Sequence, residues 1–228
     1  PLSKARSAYI FKTSDGGASW TEVQKIVASD RAADDFFGRS VSISGDYAIV
    51  GAFTEDEDTA GVNTLSEAGS AYIFKTSDGG ASWTEQQKIV ASDRASDDFF
   101  GFSVSISGDY AIVGAYTLSN AGSAYIFKTT DGGANWTEVQ EIVASDGAGF
   151  AKFGRSVSIS GDIAIVGAIG ESKDAAGNNP LGKCGAVYFY KTADGGVTWT
   201  EAQKIVASDR GASDYFGISV SISGDYAI

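Results

Sequence analysis

The chain has no histidine, no methionine and a single cysteine among its 228 residues. Without histidine, neither a Ser-His-Asp triad nor a histidine-based zinc site can form. Cys184 alone cannot make an internal disulfide or a Cys-x-x-Cys metal or redox site. Only carboxylate chemistry, of the kind that glycosidases use, is left for catalysis. We therefore expect a protein that is not an enzyme, with a carboxylate-based glycosidase as a distant alternative.

Positive charge and long apolar segments are also scarce. The 17 Lys and Arg residues face 29 Asp and Glu residues, which gives a net charge of -12. Such a chain repels phosphate backbones, so we expect no nucleic-acid partner. No apolar run approaches the roughly 20 residues needed to cross a bilayer, so we expect no membrane span. Because the chain starts at Pro1 rather than Met, we expect it to be processed or cut from a longer protein.

What the chain does have is internal repetition. The segment Ser-Val-Ser-Ile-Ser-Gly-Asp begins at residues 40, 103, 156 and 219, and the four tryptophans are spaced 63, 53 and 63 residues apart. The extra ten residues always follow Val-Gly-Ala, so they belong to one variable loop. Each unit contains four short apolar or alternating stretches, which predict strands at 40–44, 47–52, 71–75 and 83 to about 91. Glu85 and Lys88 in the last stretch indicate an exposed outer edge.

This period predicts an all-β fold, a β-propeller of four-stranded antiparallel blades with about four blade equivalents, alone or within a larger propeller or array. A stacked β-solenoid is the rival, but its repeats are usually shorter. We predict one domain over 1–228, with blades at 36–98, 99–151 and 152–214, and a split blade made of 215–228 plus 1–35. The two parts of the split blade are expected to pair, within one chain as a closed ring, between chains, or inside a longer array.

A short motif at the start of each unit resembles a known family. Phe37-Gly38, followed by Val50-Gly51-Ala52, is similar to the FG-GAP repeat of integrin α-subunit propellers and microbial surface proteins, and the motif recurs in the later units. The resemblance implies a secreted or cell-surface repeat protein. Family propellers place calcium in a D-x-D-x-D-G loop between the first two strands, whereas this chain has only Ser44-Gly45-Asp46-Tyr47 there. We therefore expect no cofactor, with weak calcium binding elsewhere as the alternative.

A second resemblance lies between the third and fourth predicted strands. Thr13-Ser14-Asp15-Gly16-Gly17-Ala18-Ser19-Trp20 is similar to the Asp-box, S/T-x-D-x-G-x-T-W. The carboxylate can accept hydrogen bonds from turn N–H groups, glycines supply positive φ, and Trp packs over the hairpin. The resemblance implies a structural element rather than an active site. The predicted structural residues are Asp15, Trp20, Asp78, Trp83, Asp131, Trp136, Asp194 and Trp199.

Positions at which the repeats differ are the candidate ligand contacts. The residues after Val-Gly-Ala include aromatics that can stack on a sugar or can be ordinary surface residues. The residue after Phe-Gly also varies, and it faces the axial mouth or packs between blades. The candidate ligand rim consists of Phe53, Tyr116, Arg39, Phe102 and Arg155.

Acidic loops are the other candidates. Glu55, Asp56, Glu57 and Asp58 are consecutive acids that form a weak cation site or a solvated loop. The loop at 30–35 is a weaker candidate of the same kind. Cys184 replaces an alanine of the other units, which favours a small loop or core residue over a reactive thiol.

The leading hypothesis for function is a non-catalytic extracellular repeat propeller that acts as a scaffold, adhesion or assembly module. The alternative is a lectin-like propeller that binds glycans at the repeated loops. The expected partners are a protein or glycan at the cell surface, or further copies of the chain.

Overall fold

The computed structural model describes residues 6–117, 120–147 and 149–228, and its regular structure there is entirely β-strand. Three four-stranded antiparallel sheets follow one another along the chain, and a two-stranded hairpin lies at each end. The prediction of an all-β chain of four-stranded antiparallel blades is confirmed. No helix long and apolar enough to cross a membrane occurs among these residues.

The strands follow the repeat closely. The first hairpin consists of β1 (Ala8–Lys12) and β2 (Thr21–Ile26). The first blade contains β3 (Val41–Ser44), β4 (Tyr47–Ala52), β5 (Ser70–Lys75) and β6 (Thr84–Ile89). The second blade contains β7 (Phe100–Ser107), β8 (Tyr110–Ala115), β9 (Ser123–Lys128) and β10 (Thr137–Ile142). The third blade contains β11 (Phe153–Ser160), β12 (Ile163–Ala168), β13 (Ala186–Lys191) and β14 (Thr200–Ile205). The last hairpin consists of β15 (Ile222–Ser223) and β16 (Tyr226–Ala227).

The hydrophobic core lies between blades rather than inside one blade. One cluster joins residues of the first and second blades, and another joins the second and third. Phe100, the phenylalanine of the Phe-Gly pair, is fully buried with its ring 5.5 Å from the Tyr125 ring and 6.0 Å from the Phe127 ring. Burial of one such side chain contributes roughly 1.5–3 kcal/mol. The repeated Phe therefore lies in the cluster that its blade shares with the preceding blade, and these shared clusters hold the blades together.

Serine hydroxyls join the first strands of neighbouring blades. Ser40 and Ser42 of the first blade accept hydrogen bonds from the backbone N–H groups of Val104 and Ile106, at 2.9 and 3.2 Å. Ser105 accepts one from Ile159 in the same way, at 3.2 Å. The alternating Ser-Val-Ser-Ile-Ser pattern thus supplies acceptors to the adjacent blade, because the first strands of successive blades have no ladder of backbone hydrogen bonds between them.

The two terminal hairpins do not complete a blade with each other. Among the described residues, β1 pairs with β2 and β15 pairs with β16, as two separate sheets. The side chains of Phe11 and Tyr226 are 51% and 84% exposed. Among the described residues, β16 and β1 are therefore not neighbours in one sheet, and the alternative of a ring closed within one chain is not formed in this structure. Pairing between chains or within a longer array stays a prediction, as do the blade boundaries.

Candidate functional site

Each blade has two chemically different ends. Because the strands are antiparallel, the start of the first strand and the end of the second lie together, and the variable loops that follow Ala52, Ala115 and Ala168 begin at this edge. We call it the variable end. The turns between the first and second strands, and the Asp-containing hairpins between the third and fourth, lie at the opposite edge, where Thr76 N–H donates to the Asp46 carbonyl at 3.0 Å. We call this the hairpin end.

At the hairpin end, the carboxylate of each predicted Asp-box aspartate accepts several hydrogen bonds from groups of its own turn. The Asp78 carboxylate accepts hydrogen bonds from the N–H groups of Ala81 and Ser82 at 2.9 Å, and from the Ser82 and Thr76 hydroxyls at 2.6 and 2.8 Å. These bonds, the Ser82 hydroxyl above all, hold the pKa of Asp78 well below its usual value. A carboxylate so occupied is a turn-stabilising group. The equivalent aspartates are Asp15, Asp131 and Asp194.

The tryptophans of these hairpins join neighbouring blades. The Trp136 ring lies 5.6 Å from the Tyr47 ring of the first blade in an edge-to-face contact. The Gln87 side-chain amide spans the same boundary. Its oxygen accepts a hydrogen bond from the backbone N–H of Trp136 at 2.7 Å, and its nitrogen donates to the backbone carbonyl of Trp136 at 2.9 Å. The backbone groups of Trp83 and Trp199 are bonded in the same way by Gln24 and Gln140. The Trp20 side chain, in the first hairpin, is instead 62% exposed. The glutamine contact was not predicted, although its signal is a Gln four residues after each of the four tryptophans.

Replacement of Asp78 with alanine is expected to lower the melting temperature by a few degrees at neutral pH, because the turn N–H groups lose their acceptor and must turn to water. The pKa of Asp78 is lower folded than unfolded, so its contribution is present above about pH 4 and is lost as the pH falls further. Thermal melts at pH 7 and pH 3 should therefore show a difference between variant and wild type that shrinks with acid. Equal melting temperatures at pH 7 would refute this role.

At the variable end, the structure brings all five predicted rim residues into one group, which we call the arginine–aromatic cluster: Arg39, Phe53, Phe102, Tyr116 and Arg155. The Phe102 ring of the second blade is 5.2 Å from the Phe53 ring and 4.3 Å from the Tyr116 ring. The guanidinium carbons of Arg39 and Arg155 lie over Phe102, at 4.4 and 4.5 Å from its centroid. Three blades thus contribute to one surface.

The cluster is positively charged without a paired anion. Within the described residues, the ion pairs involve Lys88 and Lys204, and neither arginine of the cluster has a carboxylate within 4.0 Å. Arg39 is exposed and Arg155 is half-buried. Burial, together with the charge of Arg39, lowers the pKa of Arg155 from its usual value, although an arginine remains protonated. The cluster adjoins a cavity of ≈ 270 Å³ that Arg39, Phe102 and Arg155 help to line.

The usual calcium loop of the FG-GAP resemblance does not fit this chain. Ser44 and Tyr47 face each other across the β3–β4 ladder, so the connection is a tight turn with one carboxylate, that of Asp46. Calcium takes six to eight oxygen ligands, usually from several carboxylates. The turn in the second blade, Ser107-Gly108-Asp109-Tyr110, has the same form. The residues at this position therefore lack the ligands for a calcium ion.

The predicted acidic loop is divided between two roles. Glu55 and Glu57 lie with Asp30 so that one oxygen of each is within 4.8 Å of the others. Asp56 and Asp58 instead accept hydrogen bonds from N–H groups of their own loop, those of Glu67 at 2.7 Å and Ala60 at 2.9 Å. Cation binding at this loop stays a prediction.

A lysine already supplies positive charge beside these acids. Lys88 Nζ lies 2.8 Å from Asp30 and 3.4 Å from Glu55, and its side chain is 7% exposed. The Tyr72 hydroxyl donates to the same two carboxylates, at 2.8 and 3.3 Å. The expectation that Lys88 marks an exposed edge is therefore wrong, because the variable loop folds back over the end of β6 and brings Glu55 to the lysine.

The third blade repeats this buried network, with Lys204 Nζ 2.7 Å from Asp146 and 3.7 Å from Glu171. The second blade lacks it. There the lysine position is Glu141, and the position equivalent to Glu55 is a leucine in the sequence. The second blade thus has neither the buried acid nor the lysine, and the Glu141 carboxylate instead accepts a hydrogen bond from the Ser123 hydroxyl.

Cys184 is a buried core residue, as predicted. Its side chain is fully buried, and its thiol lies 3.3 Å from the Ser172 carbonyl. The thiol is thus enclosed by the variable loop of the third blade.

The family model described as FG-GAP repeat matches residues 20–74, 83–127, 136–190 and 199–228, which is most of the chain. The chain belongs to the FG-GAP repeat family. No match was found among curated proteins.

Two solved structures resemble this FG-GAP repeat chain in fold. A DUF4623 family protein from Bacteroides eggerthii shares 12% identity at a TM-score of 0.51, covering 84% of this chain and 39% of that one. Saccharomyces cerevisiae Sqt1 shares 8% identity at a TM-score of 0.47, covering 78% of this chain and 37% of that one. The chain spans well under two thirds of either protein, and the likeness concerns the fold alone.

Proposed function

We propose that this chain is a non-catalytic binding module of an extracellular scaffold or adhesion protein, and that its variable end is the surface that binds the partner. One observation carries the proposal. The residues at which the repeats differ, Arg39, Phe102 and Arg155 among them, gather into a single cluster, whereas the repeated polar residues are used within and between blades. Functional surfaces break the symmetry of a repeat, because residues that bind a partner are needed only once.

The repeated carboxylates support the non-catalytic part of the proposal. Catalytic acids need a free oxygen facing a substrate and an appropriate pKa. Here Glu85 accepts both the N–H and the hydroxyl of Ser29, at 2.9 and 2.8 Å, and the equivalent glutamates do the same in the next blades. Glu55 and Asp30 are paired with Lys88. These acids have structural partners.

The lectin-like reading is the second candidate, since Phe53 and Tyr116 are aromatic residues at the variable end. An array that carries both extracellular proteins and glycans separates the two. Binding to protein spots supports the scaffold reading, and binding to glycan spots alone supports the lectin reading.

The experiment blocks one end of the propeller at a time. The single native cysteine is buried, so a cysteine introduced at an exposed position can be labelled selectively with a bulky maleimide. We expect labelled Arg39→Cys to lose binding to the array, because the label covers the arginine–aromatic cluster. Labelled Asp46→Cys, at the exposed hairpin end, is the matched control and should bind as the wild type does. Equal binding by both labelled variants would contradict the proposal.

A further inference from the structure

Arg39 and Arg155 place two positive charges side by side in a chain of net charge -12. The lysines of the buried networks are paired with acids, yet Arg39 and Arg155 contact aromatic rings and, among the described residues, no acid within 4.0 Å. A guanidinium group presents five N–H donors in a planar fork that matches a carboxylate. Their donors are therefore available to an anion from outside the chain.

Three of the four serines that line the cavity already make hydrogen bonds within the protein. Ser40 accepts from the Val104 N–H at 2.9 Å, while Ser103 and Ser156 donate to the carbonyls of Gly154 and Gly217 at 2.8 and 2.7 Å. These serines line the same cavity as the two arginines. The two arginines are the charged residues among those that line the cavity, so an anion is recognised there through them.

The aromatic rings are poorly placed to stack on a sugar. Phe102 is 7% exposed, and two guanidinium groups lie over it. The Tyr116 ring is stacked on Phe99 at 5.6 Å with an interplanar angle of 21°, and it contacts Phe102 as well. Stacking on a sugar needs an open ring face. The rings instead hold the arginines in place, because cation–π contacts fix a guanidinium while leaving its N–H edge free.

We propose that Arg39 and Arg155, held by Phe102, bind a carboxylate side chain from an acidic segment of a protein partner. The cavity of ≈ 270 Å³ is large enough for one such side chain. This inference rests on the proposed function, since it names the chemistry of the partner at the same surface. Two charge-assisted hydrogen bonds from fixed donors provide the specificity. The acidic remainder of the chain repels other parts of the segment, so binding depends on this contact.

The test uses a fluorescent hexaglutamate peptide, with hexaserine as the neutral control and hexagalacturonate as the acidic glycan. Fluorescence anisotropy gives the affinity of the wild type and of the Arg39→Gln/Arg155→Gln variant. The matched control is Lys25→Gln/Lys191→Gln, which changes the net charge equally at two exposed lysines elsewhere. We expect the arginine variant to bind hexaglutamate about ten-fold more weakly or worse, and the lysine variant to bind as the wild type does. Unchanged melting temperatures establish that both variants fold.

Each other result overturns the inference. An equal loss in the lysine variant would mean that overall charge, rather than the cavity, attracts the peptide. Binding of hexagalacturonate without hexaglutamate would identify an acidic glycan as the ligand. If no acidic probe binds while the labelled Arg39→Cys variant still loses its array partner, the carboxylate inference fails and the proposed function stands.

Discussion

Replacement of Gly114 with alanine is expected to destabilise the protein severely. A Cβ atom at this position would overlap the carbonyl oxygen of Gly154 in the next blade and the Ser103 hydroxyl. Those two groups are hydrogen-bonded to each other at 2.8 Å, so the added methyl group must separate the blades or break the bond. Overpacking of a core costs roughly 1–3 kcal/mol, and a clash with backbone atoms exceeds that range. For a chain of this size the melting temperature should fall by roughly 10 °C.

Gly182 provides the matched control for this substitution. A Cβ atom there meets nothing within 4 Å, so Gly182→Ala should leave the melting temperature unchanged or slightly raised. Thermal melts of both variants, followed by circular dichroism, distinguish steric interlocking of blades from a general effect of glycine replacement. Similar melting temperatures for the two variants would show that the blades can move apart without cost.

Replacement of Lys88 with methionine is the second change expected to have a large effect. It leaves the buried Glu55 carboxylate, whose side chain is 4% exposed, without its cation. Removal of one partner of a buried ion pair typically costs about 3–5 kcal/mol, because the remaining charge is uncompensated. Asp30 is more exposed and can be hydrated, so a loss near the lower end of that range is expected in chemical denaturation.

Two further variants make this prediction specific. Lys25 occupies the same repeat position in β2 but is exposed, so Lys25→Met should be nearly neutral. The double change Glu55→Leu/Lys88→Met removes both charges and should recover most of the lost stability, because no buried carboxylate is then left without its cation. If Lys88→Met is as stable as Lys25→Met, the buried network contributes nothing to the blade.

The strands could be predicted from the sequence because the repeat presents each pattern several times. The second strand was predicted at 47–52 and is observed at Tyr47–Ala52, since its apolar run is covered on both faces. The first strand of the later blades is longer than predicted. It extends to Phe100 and Phe153, because the Phe-Gly pair forms a bulge that continues the ladder rather than a preceding turn.

Contacts between blades could not be predicted, because they depend on how adjacent repeats are placed in space. The sequence around Lys88 is typical of an exposed edge strand, and only the fold of the variable loop places Glu55 beside the lysine. The alternating serines read as the polar face of a strand, whereas their hydroxyls accept hydrogen bonds from the next blade. Closure of the ring depends on the rotation between blades, which the repeat length does not determine.

The candidate site was identified residue by residue, but its arrangement was not. Comparison of the repeats singles out Arg39, Phe102 and Arg155 because the residue after Phe-Gly is not the same in every repeat. Nothing in the sequence indicates that two guanidinium groups lie over one ring, since the three residues come from three different blades. Because the three side chains meet, they form one surface at the variable end rather than three separate candidate contacts.

The central claim is that partners bind at the variable end. The most direct measurement is a map of backbone amide chemical shifts in the labelled chain as the partner found on the array, or hexaglutamate, is added. The account predicts shifts confined to the arginine–aromatic cluster and the strand starts beside it, around Gly38, Gly101 and Gly154. Shifts concentrated instead in the Asp-containing hairpins around Asp78 and Asp131 would contradict it.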